Sequence, residues 1–415
     1  MHYRWATFLL ILFLLPAIAS AQSDWANWRG PTGDGHAASG QTPPTKWDET
    51  TNVLWKVKVP GRGHASPTIV GDKIFLATAI ADGQKQGVIC FDRKTGEQRW
   101  AKELYSGGWP AQIHPKNSHA SSTVVSDGKR VFAVFLNNAA IHVAALDLNG
   151  KEKWRKTVGQ YSSKYPFGFG ASPIIYDGNV LVTNDSQKDS AIVAYDGATG
   201  QEKWRIKRPP VSSYSTPVVA NVGGKKQLLI SGGQKIFSYD PDTAKTNWEA
   251  SARWVVSCGT MVWDEESQMV FASGGYPAAQ TIALDAKTGR KIWENGVKVY
   301  EQSMIVIGGY VYAISDSGVA FCWKASDGTE MWRQRLEKQE SASPVFVGGK
   351  IYIGVESGRM FVFKPNPEKF ELVAENQLGN SLFATPTFID NKMYYRAGFG
   401  GRQNLQEWLY CIGAE

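Results

Sequence analysis

Apolar and polar residues alternate along this chain in short segments such as DKIFLATA (72–79) and GKIYIGVE (349–356). Period-two alternation rich in β-branched and aromatic residues predicts half-buried strands. The segments recur in a fixed order. A phrase with a turn Asp, a Gly and a closing Trp reads FDRKTGEQRW to Trp100, YDGATGQEKW to Trp204 and LDAKTGRKIW to Trp293. Weaker copies are LDLNGKEKW (Trp154), YDPDTAKTNW (Trp248) and KASDGTEMW (Trp332). The Asp side chain caps turn amides and the Gly accepts positive φ, so each copy predicts a hairpin between two strands.

A second phrase, a small hydroxyl residue before a short apolar run, opens each unit. It gives the series Ser66, Ser121, Ser172, Thr216, Cys258, Ser303, Ser343 and Thr385. Eight starts, each followed by a tight turn and further alternating strands, predict an all-β fold: an eight-bladed β-propeller of four-stranded antiparallel blades. The last unit supplies strands near 383–389, 392–397 and 408–412 and lacks a fourth. The segment NVLWKVKVP around Trp55 fills that place, so the N-terminal strand closes the ring and leaves no open sheet edge. The propeller is expected over 52–415.

Residues 1–21 read as a secretory signal peptide, with Arg4, an apolar run from Trp5 to Leu15, and Ala19-Ser20-Ala21 before the cut. That run is shorter than the ~20 residues of a membrane span, and no later stretch is longer. The protein is expected to be exported, periplasmic or extracellular, soluble and monomeric. Residues 22–51, rich in Gly and Pro, predict an irregular arm packed on the propeller, with Trp25, Trp28 and Trp47 pinning it across the ring. The charge of +7 lacks the Lys/Arg runs of a nucleic-acid binder.

The Asp-x-x-Thr-Gly-x-x-x-Trp phrase resembles the tryptophan-docking repeat of the pyrroloquinoline quinone (PQQ)-like propeller superfamily. That group contains quinoprotein dehydrogenases and the propeller of the outer-membrane β-barrel assembly machinery. The resemblance implies that Trp100, Trp154, Trp204, Trp248, Trp293 and Trp332, with Trp55 at the closure, pack between blades. Fold alone does not assign activity. Quinoprotein dehydrogenases stack PQQ on a pair of adjacent Cys, and this sequence has no Cys-Cys pair. Cys90, Cys322 and Cys411 share one slot of the repeat. Third strands of neighbouring blades would lie roughly 13 Å apart at ~4.8 Å strand spacing, beyond the ~7 Å reach of a disulfide. They read as core residues.

Strand order places the long connections (101–118, 155–170, 371–382, 397–407) on one face and tight turns such as Gly71-Asp72 and Gly348-Gly349 on the other. Long loops on a rigid ring carry binding, so the long-loop face is the expected site. Its candidate residues are Arg62, His64, Trp109, His114, Lys116, His119, Tyr165, Trp254, Glu301, Arg396 and Arg402. Tyr161, Phe167, Phe169 and Arg253 add to its aromatic and basic content. His64 and His119, read as equivalent slots of adjacent blades, with His114 as a third ligand, form a weak metal candidate; a hydrogen-bonding His pair is the alternative. The hydroxyl series either lines the channel or satisfies nearby backbone. No nucleophile elbow, HExxH or Rossmann fingerprint is present, and Glu301, Glu340 and Glu356 are the main carboxylates of the face. No cofactor is expected. The reading is a non-catalytic, exported propeller binding a cell-envelope protein, peptide or polysaccharide. The alternative is a PQQ- or metal-dependent oxidoreductase of an alcohol or sugar, with PQQ and Ca²⁺.

Overall fold

The computed structural model describes residues 24–338, 341–401 and 404–414; the expected signal segment, Glu340 and Arg402 lie outside the described residues. Eight four-stranded antiparallel sheets follow one another around a ring. Blades one to seven span 68–105, 125–160, 174–207, 218–251, 262–295, 305–335 and 345–377. The eighth consists of Thr387–Ile389, Lys392–Phe399 and Gln406–Ile412, and its outer strand is Val53–Val59, which pairs with Gln406–Ile412. Trp55 faces Cys411 and Lys58 faces Trp408 in that closing register. Among the described residues no helix is long and apolar enough to cross a membrane.

The repeated phrase builds the joint between blades. In blade three, Asp196 Oδ1 accepts the amides of Ala198 (3.0 Å) and Thr199 (2.9 Å), and Gly200 turns the chain at φ +70°. Trp154 of blade two lies on that turn: a Cβ on Gly200 would stand 2.7 Å from its indole. The indole Nε1 donates to Gly197 O at 3.0 Å. The same donation runs from Trp100 to Leu148 O, Trp248 to Ala286 O, Trp293 to Ala325 O and Trp332 to Asn366 O, at 2.7–3.1 Å. A Trp thus satisfies one buried polar atom while covering its neighbour's turn.

The four cysteines are unpaired, and Cys90, Cys322 and Cys411 are buried within blades. Each stands opposite a Trp: Cys90 faces Trp100, Cys322 faces Trp332 and Cys411 faces Trp55.

The arm runs across the tight-turn face. Trp25 bridges to Ile69, His36 bridges to Phe346, and Trp47 N donates to Asn376 Oδ1 at 2.9 Å. The Trp28 indole donates to Thr260 Oγ1 at 3.0 Å. Arg29, 1% exposed, donates to Met304 O at 2.6 Å. Burial pulls its guanidinium down to about 10, which leaves it charged at neutral pH; the nearby Asp34 offsets part of that.

Candidate functional site

A belt of hydrogen bonds runs in two arcs around the start of the inner strands. The amide of Ser66 donates to Thr123 Oγ1 (3.1 Å), Thr123 to Ser172 Oγ (2.9 Å) and Ser172 to Thr216 Oγ1 (2.9 Å). Thr260 donates to Ser303 Oγ (3.0 Å), Ser303 to Ser343 Oγ (3.0 Å) and Ser343 to Thr385 Oγ1 (2.9 Å). Six of these hydroxyls satisfy a buried amide of the preceding blade, and Thr260 Oγ1 accepts the Trp28 indole instead, so this layer is mainly structural. Two members of the expected series are corrected. The belt residues of blades two and five are Thr123 and Thr260, not Ser121 and Cys258. Both motifs, HASSTVV and VSCGTMV, hold two small polar residues two apart, and the hydrogen bonds select the later one.

The residue two positions before each belt hydroxyl faces the channel. In blade order these are His64, Ser121, Gly170, Tyr214, Cys258, Glu301, Ser341 and Phe383, and all eight line one cavity of about 260 Å³. Trp28 of the arm also lines it, while its Nε1 is tied to Thr260 in the belt below. Phe167, Tyr276 and Tyr300 supply further wall from the long loops. The belt repeats one chemistry, whereas the ring above it holds a different side chain in nearly every blade.

Charged groups at this cavity are already partnered. Lys116 Nζ lies 2.8 Å from Glu356 Oε1 and 3.7 Å from Glu301 Oε1. Ser341 Oγ sits 2.6 Å from Glu301 Oε2 and 2.7 Å from Glu356 Oε1. Desolvation raises the Glu301 carboxyl above its ordinary value, against the opposing pull of Ser341 and Lys116. Lys298 pairs with Asp316 at 3.1 Å and lies over the Tyr300 ring. His64 stacks on Phe383 with ring centroids 4.2 Å apart; burial, then the charges of Arg396 and Arg62, lower it to about 3. Desolvation likewise pushes the Cys258 thiol up.

The structure separates the remaining sequence candidates. His119 stacks on Trp109 at 3.9 Å in a second hollow, of about 680 Å³, whose walls include Arg62 and His114. His119 stands four positions before Thr123, so the slot equivalent to His64 is Ser121. The expected His64–His119 pair is therefore corrected. His114 lines both hollows, and its Nδ1 accepts the Lys116 amide at 3.2 Å. Among the described residues no three His, Cys, Asp or Glu come together as metal ligands. Tyr165 stacks on Phe167 at 5.2 Å and meets Tyr276 edge-on at 5.4 Å.

Trp254 and Arg396 are corrections of another kind, because neither is available to a partner. Trp254 is fully buried against Gly274, where a Cβ would come within 2.3 Å of the indole. Arg396 is 2% exposed and forms a buried pair with Glu407, Nε to Oε2 at 2.8 Å, while donating to Ala77 O at 2.9 Å. Tyr214, Tyr276, Tyr300, Ser341 and Phe383 were missed as site residues. Tyr214, Ser341 and Phe383 share a signal, two residues before the belt hydroxyl, that becomes readable once the register is known; Tyr276 and Tyr300 lie on loops outside that position.

A calcium–PQQ pair does not fit these residues. Calcium takes six to eight oxygens, and the Lys116 ammonium holds the carboxylate pair that would have to supply them. PQQ is itself a tricarboxylate, and the groups round the cavity offer it no unpaired cation among the described residues.

A family model described as outer membrane protein assembly factor BamB matches residues 22–164, 84–334 and 278–365. The assembly factor BamB of Burkholderia pseudomallei is 24% identical over 385 residues, covering 87% of this chain and 90% of that one. The 1-butanol dehydrogenase (quinone) of Thauera butanivorans is 28% identical over 295 residues, covering 64% of this chain and 44% of its own. Among solved structures, BamB from Moraxella catarrhalis aligns with TM-score 0.61 and 16% identity, covering 86% of this chain and 99% of that one. A europium-containing methanol dehydrogenase aligns with TM-score 0.69 and 13% identity, covering 94% and 98%. The ring, its joints and these matches place the chain in the PQQ-like β-propeller family of the outer membrane protein assembly factor BamB.

Proposed function

We propose that this is an exported, non-catalytic propeller of the cell envelope that binds a protein or peptide partner through its long-loop face. The ring of eight channel-facing residues carries the reading: a structural belt supports a layer of varied chemistry, open to the long loops and walled by aromatic rings. Its polar groups suit holding better than reacting. The Cys258 thiol is disfavoured as thiolate and His64 is stacked and neutral. The Ser121 hydroxyl is taken up by Asn117 and Ser118. Relatives named as outer membrane protein assembly factors favour a protein partner over a polysaccharide.

The test is a photo-crosslinking side chain placed at Tyr276, 43% exposed at the rim, or at exposed Lys129 in a tight turn of the opposite face. Partner adducts at Tyr276 and none at Lys129 are expected. Equal adducts at both, or at Lys129 alone, would overturn the choice of face. The second reading, a quinone-dependent oxidoreductase, is favoured by the likeness to 1-butanol dehydrogenase (quinone). Saturable 1:1 binding of PQQ with Ca²⁺ in calorimetry would replace the first reading with it.

A further inference from the structure

The carboxylates at the cavity outnumber the cations that face them. Around Glu301 stand Lys116 from the loop between blades one and two, Glu356 from blade seven, and Asp316 with its partner Lys298 from the blade-six side. Cys258, Tyr300, Tyr214, His64 and His114 complete the titratable lining, and burial keeps His64 neutral. With Asp316 paired to Lys298, one ammonium, Lys116, serves two carboxylates.

The geometry of Ser341 shows the same excess. Its hydroxyl has one hydrogen and two carboxylate contacts, at 2.6 and 2.7 Å. One contact is a donation from Ser341; the other holds only if a carboxyl group brings its own proton. The site therefore has room for one more positive charge, which a proton on Glu301 supplies when the cavity is empty. The raised carboxyl agrees with this.

The walls suit an organic cation. Glu301 is the one carboxylate among the lining residues, and it shares the cavity with the rings of Phe167, Tyr214, Tyr276, Tyr300 and Phe383. Aromatic faces attract an ammonium and cover its aliphatic stem. The Lys298 ammonium already lies 4.9 Å from the Tyr300 centroid. Lys116 itself comes from the far side of the ring, since its loop joins blades one and two while its carboxylates belong to blades six and seven.

We propose that the cavity receives a primary ammonium group, from a lysine side chain or the N-terminus of a bound peptide, and that Lys116 is its internal stand-in. The proposal rests on the partner-binding reading of the long-loop face. The incoming ammonium pairs with Glu301 and displaces the proton held there: the carboxyl O–H bond breaks, the proton passes to solvent, and no bond between heavy atoms changes. Binding therefore strengthens as pH rises through the Glu301 value, because below it the carboxyl is neutral.

The experiment is calorimetric titration of the mature chain, 22–415, with Nα-acetyllysine N-methylamide, its neutral isostere Nα-acetylnorleucine N-methylamide, and alanyl-alanine amide as the N-terminal probe. Lys116→Ala is expected to bind one of the two ammonium probes at least tenfold more tightly than wild type at pH 8. The probe that gains identifies the source. The norleucine probe should gain nothing, and buffers of different ionisation enthalpy should report proton release. Adding Glu301→Gln should abolish the gain. Lys116→Met keeps the aliphatic stem and serves if Lys116→Ala fails to fold. A folded Lys116 variant with no gain for either amine, or an equal gain for norleucine, overturns the ammonium site. Crosslinking at Tyr276 in the same variant separates this failure from failure of the face: adducts that persist without amine binding sink only the ammonium.

Discussion

The Trp28 indole donates to the Thr260 hydroxyl at 3.0 Å, joining the N-terminal arm to the inner strand of blade five across 232 residues. Thr260 also belongs to the belt, its amide donating to Ser303 Oγ at 3.0 Å. Trp28 thus stands as part of the cavity floor on the side where the arm crosses the ring. Trp28→Phe should cost about 1 kcal/mol, the usual net worth of a lost hydrogen bond. Trp28→Ala should cost about 3 kcal/mol, because the floor is lost with it. Urea unfolding of both variants checks this, and equal losses would mean that the ring itself contributes nothing.

The blade joints predict opposite signs for one type of change. Gly200→Ala puts a Cβ 2.7 Å from the Trp154 indole at φ +70°, and about 2 kcal/mol of stability should be lost to αL strain and displaced packing. Blade four already has Ala244 at that turn position, at φ +60°, packed against the same hydrophobic core as Trp204. Ala244→Gly should relieve the strain, and the unfolded chain's added entropy leaves a gain of about 0.5 kcal/mol. Thermal melts of the two variants, moving in opposite directions, are the check.

Burial sets the acid side of the stability profile. His64 and His119 are lowered by desolvation to about 3 and about 4, below the ~6.5 of an unfolded chain. The unfolded state therefore takes up protons first as pH falls. The stability from these two groups is complete above about pH 6.5 and is lost progressively toward pH 4 and then pH 3. His64→Phe keeps the stack on Phe383 and removes one titrating group, so its stability should fall less steeply between pH 6.5 and 4. Urea midpoints across that range would show identical slopes if His64 titrated normally.

Arg396 and Glu407 form a buried pair, and removing one partner of such a pair typically costs about 3–5 kcal/mol. Arg396→Ala should lie at the lower end, because Arg62 Nε stands 3.8 Å from the Glu407 carboxylate and retains part of the compensation. Lys235→Ala, which breaks an exposed pair with Glu249, should leave the melt unchanged. Chemical denaturation of the two variants measures the contrast.

The architecture could be read from the sequence because it is written several times over. The Asp-Gly-Trp phrase and the hydroxyl-led runs each encode a local turn or strand, and eight copies with a missing fourth strand imply the ring and its closure. The site was less legible for three separate reasons. Blades two and five carry small polar residues at both Ser121 and Thr123, and at both Cys258 and Thr260. Sequence cannot choose between them, and that choice decides which residues face the cavity. Trp254 and Arg396 look like loop anchors until tertiary packing against Gly274 and Glu407 is known. The cavity wall includes Tyr276 from a loop between the second and third strands of blade five, which no repeat position announces.

The central claim is that the belt holds the fold while the ring above it holds the partner. The most direct test compares Ser343→Ala in the belt with Tyr214→Ala and Phe383→Ala in the ring, reading urea stability and crosslinking yield at Tyr276 side by side. The belt change leaves the Ser303 amide without its acceptor and should cost about 1–3 kcal/mol with yield unchanged among the folded molecules. The ring changes should cut the yield at least fivefold in proteins that remain folded. Ring variants that crosslink like wild type, or a belt variant that loses the partner while keeping its stability, would contradict the division.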